Sequence, residues 1–156
     1  MALSAPMGVS LQSCDQFIRA HSGWIRRALA RRREEAGVSL FPQCSREEAR
    51  DRLERAVDRV YPMAAALGVA RPLLKLRKMR SQWGNCHWSQ GYITLNVALA
   101  RCPEGLRDYV ALHELVHFLH HDHGPGFYAR MDALMPDWRR RRQELKKYSA
   151  ALESEG

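Results

Sequence analysis

The sequence predicts an α+β fold, with helices first, a few strands in the middle and helices again at the end. Three observations carry this reading. Apolar residues recur at helical spacing before and after the centre of the chain. A β-branched and aromatic run, Tyr92-Ile93-Thr94-Leu95-Asn96-Val97, stands between them. The length, 156 residues, is that of one ordinary domain. At 46% apolar and 27% charged residues, the chain has the composition of a globular protein able to bury a core.

The elements follow in order. Residues 1–10 read as a loose tail. Phe17, Trp24, Ile25, Ala28 and Leu29 mark an amphipathic helix over about 14–36, ended by Gly37. Phe41-Pro42 is a turn. Residues 1–44 thus form an N-terminal helical extension of a single domain, 1–156, whose core is 45–148. Ser45-Arg46-Glu47-Glu48 is a capping box, opening a helix that carries Ala49, Leu53, Ala56, Val57 and Val60 and ends at Gly68, with Pro62 a candidate kink. Leu73–Met79 is a first strand, Ser81–Gly91 a polar turn region and Tyr92–Val97 a second strand in a small antiparallel sheet. Pro103-Glu104 starts a helix to about His121. Its apolar residues cover most of its circumference, so it is central. Gly124-Pro125-Gly126 breaks the chain, and helices follow over 127–134 and 137–149.

The formal net charge is +8. Arg31-Arg32-Arg33, Arg77-Lys78-Met79-Arg80 and the run Arg139 to Arg142 hold much of it. Solvated helix faces are the preferred reading, and phosphate contacts to nucleic acid are the alternative. No apolar run is long enough to span a bilayer, and Met1–Ser13 lacks the form of a secretory signal. The expectation is a cytoplasmic protein with no membrane partner. Its cysteines, Cys14, Cys44, Cys86 and Cys102, contain no C-x-x-C pair and read as thiols.

His113-Glu114-Leu115-Val116-His117 carries the chemistry. Two histidines four residues apart share one helix face, about 6 Å apart along the axis. Two imidazoles on adjacent turns can converge on one zinc ion. Glu114 points about 100° away, outside the ligand set but close enough to serve as general base toward a zinc-bound water. A buried helix would carry such polar groups at a cost unless a metal or partners satisfied them. The third ligand is assigned to His123. It follows the helix end, where Gly124-Pro125-Gly126 lets the chain turn back. His120, the competitor, would stack a third ring along the helix. His120 and His121 otherwise read as side chains near a helix C-terminus.

These segments resemble the YgjP-like metal-dependent hydrolases, related to zincin metallopeptidases. The likeness rests on Ser81–Cys86, Gly91–Asn96, Asp108–His117, Asp122–Tyr128 and Pro136-Asp137-Trp138, in matching order and spacing from about residue 50 to residue 148. It departs at Gln82, where a basic residue is usual, and at Asn85 and Gly124, where serine is common. The likeness implies a zincin-like minimal metallopeptidase domain built on a central H-E-x-x-H helix, with His113, His117 and His123 as metal ligands and Glu114 catalytic. A more distant likeness is to SprT-like and WLM proteases, which act on proteins bound to DNA.

Several other residues have two readings. Trp83-Gly84 is taken as a structural turn, Trp83 as an anchor and Gly84 as the bearer of an unusual backbone angle, rather than as a site border with Cys86 near the metal. His87 reads as a surface residue. Tyr128 reads as packing rather than as an oxyanion donor. Asn96 and Asp108 are candidate hydrogen-bond partners for the ligand imidazoles. The strand Tyr92–Val97 is expected to offer an edge to an extended peptide. The sequence reading is therefore a zinc metallopeptidase acting on a peptide or protein substrate. A basic nucleic-acid-binding module with a structural zinc, closed by Cys86 or His120, is its rival.

Overall fold

The structure, a computed structural model, describes residues 44–154 together with Gly23. The turn at Phe41-Pro42 and all of the helix expected over 14–36 except Gly23 lie outside the described residues. Residues 44–154 belong to one compact unit, Val38–Gly156.

Helix α1 (Arg46–Ala65) starts on the capping box as read: Ser45 accepts from the Glu48 amide, and Glu48 accepts from the Ser45 amide. Its buried stripe is Ala49, Leu53, Ala56, Val57, Val60 and Ala64, a helical period facing the core. Pro62 falls in the last turn, where the helix is about to stop. Gly68 closes it at φ +86°, with Val69 N–H donating to the Ala64 carbonyl and Gly68 N–H to that of Ala65.

Three strands follow: β1 (Leu73–Arg77), β2 (Gly84–His87) and β3 (Tyr92–Asn96). Their spatial order is β1-β3-β2, with β1 parallel and β2 antiparallel to β3. The sheet is thus mixed, not antiparallel as expected, and β2 lies inside the stretch read as a turn. The cause is the crossing segment 78–83. It carries the chain past the end of β3, so β2 descends on the far side and β3 returns between its two neighbours. Asn96, fully buried, fastens this crossing. Its side-chain amide donates to the carbonyls of Met79 (2.7 Å) and Gln82 (2.8 Å), and its side-chain oxygen accepts from Ala98 N–H (3.1 Å). Ile93 and Leu95 of β3 and Leu76 of β1 enter the core.

Helix α2 (Glu104–Val116) is central, with Leu106, Tyr109, Val110, Ala111, Leu112, Leu115 and Val116 buried. It packs on α1 and carries Asp108, which accepts a forked pair of bonds from Arg59 of α1 at 2.7 and 3.2 Å. It ends five residues before the expected His121. Tight turns replace the last stretch, with Phe118 N–H on the Leu115 carbonyl and both Leu119 and His120 N–H on that of Val116. Helices α3 (Pro125–Leu134) and α4 (Trp138–Ser154) complete the unit. Among the described residues no helix is long and apolar enough to cross a membrane.

Candidate metal centre

The early end of α2 shapes the site. His113 stands in its last turn and His117 just past it. The chain then curls, and the His117 ring reaches back with Nδ1 3.0 Å from the His120 carbonyl. A carbonyl only accepts, so Nδ1 carries the proton and Nε2 keeps its lone pair. Gly124 then opens α3, and the turn before it returns His123 to the helix. The ring nitrogens of His113, His117 and His123 lie within 4.8 Å of one another, and Nε2 of His123 is 2.9 Å from Nε2 of His113. A tetrahedral zinc with nitrogens at 2.0–2.1 Å holds them about 3.3 Å apart. The donor set and its spacing therefore fit a zinc ion. Burial first, then the charges of His117, His123 and Arg142, push the His113 pKa down to about 3, so this imidazole is neutral, as a metal ligand must be.

Phe127 forms the floor. It is buried at the start of α3, with its ring centroid 4.8 Å from His113, 4.7 Å from His117 and 4.8 Å from His123. One apolar ring thus touches all three imidazoles and limits their rotation. Sequence reading assigned Phe127 no part in the site. Its position, four residues after His123 and just past the glycine break, was the available signal. Tyr128 stacks between His123 (6.4 Å) and Trp138 (5.5 Å), a packing position.

Glu114, next along α2 from His113, turns toward the sheet. It is 5% exposed, and burial pushes its pKa up to about 8. Gly84 of β2 faces it so closely that a Cβ there would lie 2.5 Å from Glu114 Oε1. Among the described glycines only Gly68 and Gly91 have positive φ, so Gly84 does not supply an unusual backbone angle. It supplies room for a carboxylate. Gln82, Trp83 and Gly84 form one wall of a cavity of about 200 Å3, and Tyr109, His113 and Glu114 form the other. Leu145 of α4 closes its end.

The remaining candidates sit elsewhere. His120 packs its ring over Gly126, where a Cβ would meet it at 2.9 Å, and is not in the imidazole cluster. His121 stacks on Trp88 at 3.8 Å, and His87 stacks on Tyr92 at 4.3 Å. Cys86 lies on the Glu114 side, and burial, with the Glu114 charge, pushes its thiol up to about 12. Asn96 and Asp108, expected beside the imidazoles, are engaged with the crossing segment and with Arg59 instead. The edge expected on β3 does not exist, because both its sides are paired. Among the described residues the outer edges belong to β1 and β2, and β2 is the strand packed against α2 at Glu114.

A family model described as YgjP-like, metallopeptidase domain, matches residues 30–148, about three quarters of the chain. No curated protein matches the chain.

Proposed function

The chain belongs to the YgjP-like metallopeptidase-domain family, and from that premise we propose that it is a zinc-dependent peptidase. The observation that carries the reading is the convergence of His113, His117 and His123 beside a buried glutamate at the wall of a cleft. Three imidazoles, with no fourth protein donor among the described residues, match the open ligand set of a catalytic zinc rather than the closed set of a structural one. Cys86 and His120, the candidates for closing the set, lie outside the cluster.

A zinc ion held there supplies Lewis acidity toward a carbonyl oxygen and lowers the pKa of its water. The chain's own residues do the rest. The His120 carbonyl fixes the His117 tautomer, and Phe127 fixes the planes of the rings. Glu114 accepts a proton from the attacking water at a carboxylate oxygen and delivers it to the leaving amine. Burial alone holds its pKa up at about 8, so the ionised form that accepts a proton would be favoured by the positive charge of a bound metal nearby. The outer edge of β2 offers backbone groups to an extended peptide lying along the cleft.

The reading is tested by metal content and hydrolysis together. The purified protein is expected to bind about one zinc per chain and to cleave casein or unfolded proteins in a zinc-dependent manner. His123→Ala is expected to weaken zinc by more than about a hundredfold, and His120→Ala by less than about tenfold, since His120 contributes through its backbone carbonyl. The reverse order of affinities would remove His123 from the ligand set. Gly84→Ala tests the other wall. Its methyl group displaces the Glu114 carboxylate, so hydrolysis is expected to fall about 10²-fold while zinc is retained. Unchanged turnover in that variant would show that the position of Glu114 does not matter to the reaction.

A further inference from the structure

We propose that the cleft selects peptides carrying an acidic side chain close to the scissile bond, and that Arg142 is the residue that binds it. The proposal deepens the peptidase reading by naming its substrate class.

The first observation is a segregation of charge. Between Asp58 and Glu104 the chain has no carboxylate and seven Lys or Arg residues, of which Arg59 pairs with Asp108 and Arg71 with Asp58. That stretch contains the whole sheet and the crossing segment 78–83, hence the entire Gln82-Trp83-Gly84 wall of the cleft. Arg80, exposed, stands two residues before that wall. Glu114 is the one carboxylate among the described cavity residues, and it is committed to the base role. Of the carboxylates next to cavity residues in the chain, Asp108 is paired with Arg59 and Glu144 adjoins Leu145, while Asp122 lies in the turn on the His117 side, against Gly124. A cleft with cationic surroundings and low-dielectric walls concentrates anionic ligands.

The second observation separates Arg142 from its neighbours. The run Arg139 to Arg142 opens α4. Arg139 pairs with Asp132, and Arg140 and Arg141 both pair with Asp137. Arg142 has no ion pair with a described carboxylate. It is exposed, and it stands one helical turn before Leu145, which closes the end of the cavity. Arg141 donates from Nη1 to the Gly105 carbonyl at 2.8 Å, which fixes the rotation of α4 against the first turn of α2. With that rotation set, Arg142 stands on the side of α4 that bears the buried Trp138 and Leu145, four residues after the one and three before the other. Three of four arginines are neutralised on the surface, and the fourth is left for a ligand at the site. Its planar fork suits a carboxylate.

The test measures binding apart from catalysis. Zinc-loaded Glu114→Gln protein is titrated calorimetrically with two unlabelled peptides of equal length, one with Asp or Glu around its centre and one with Asn or Gln at those positions. The acidic peptide is expected to bind about tenfold tighter, and Arg142→Gln in the same background to abolish that difference. Arg140→Gln removes the same charge from the same helix but from a surface pair, and is expected to leave the difference intact. Equal losses in the two arginine variants would reduce the effect to net charge and overturn the proposal. So would absence of a preference, or a single-stranded oligonucleotide that binds tighter than the acidic peptide and displaces it. An Arg142-dependent preference in a protein that never hydrolyses any peptide would uphold the specificity while defeating the peptidase reading.

Discussion

Glu114→Gln is expected to keep one zinc per chain and to lower the turnover of any peptide substrate by about 10²–10⁴. Glutamine has the shape of glutamate, so it fits the space opposite Gly84 that admits no extra methyl group. It leaves His113, His117 and His123 and their Phe127 floor in place, because the Glu114 side chain packs against Gly84 while Phe127 holds the three rings. It cannot accept a proton from water near neutral pH, which is the step assigned to the carboxylate. The loss therefore belongs in kcat and kcat/KM together, with little change in KM, the pattern of an interaction made only in the transition state. The comparison is made at equal zinc content, on casein, on unfolded proteins and on the acidic peptides proposed above. Equal turnover of wild type and variant would show that some other group activates the water. A zinc-loaded wild type with no hydrolytic activity across that set would instead favour the rival module, in which zinc serves structure and the basic surface serves binding.

The sequence exposed the parts of this site that depend on local rules. The capping box at Ser45, the burial of α2 and the two-histidine face follow from spacing within one helix, and the structure repeats them. What it concealed depends on contacts distant in the chain. Strand β2 reads Gly84-Asn85-Cys86-His87, with no β-branched residue to announce it. It is a strand because it pairs along β3. The parallel pairing of β1 with β3 hangs on a six-residue crossing held by Asn96, a residue whose type suggested a partner for an imidazole. The helix end was misplaced because apolar periodicity runs on through Phe118 and Leu119. The chain turns there because tight backbone bonds form and the His117 ring takes the His120 carbonyl. Gly84 was read through backbone freedom, the commoner reason for glycine, when the reason here is the Glu114 side chain packed against it.

His113→Ala is expected to remove most of the stabilisation that zinc gives this domain. The three imidazoles come from two segments, His113 and His117 at the end of α2 and His123 in the turn before α3, so a shared ion ties that turn to the central helix. An ion that binds the folded chain and not the unfolded one stabilises by mass action. With zinc at about 1,000 times its dissociation constant, the wild type gains about 4 kcal/mol. Loss of one ligand is expected to exceed the 10–100-fold typical of losing a ligand's hydrogen-bond partner. At a hundredfold weaker affinity, the same zinc concentration stands at about ten times the dissociation constant and yields about 1.4 kcal/mol. The zinc-free variant offers a further check. Nε2 of His113 and Nε2 of His123 are in hydrogen-bond contact at 2.9 Å, and the His113 ring packs on Phe127. Removing that ring loses this contact and opens space above Phe127, so the variant is expected to be less stable without zinc as well, and the loss due to the ion is the further difference that zinc addition reveals. Urea unfolding of both proteins, with and without zinc, reads all four values. A zinc-induced shift as large in His113→Ala as in the wild type would place the ion somewhere other than on this triad.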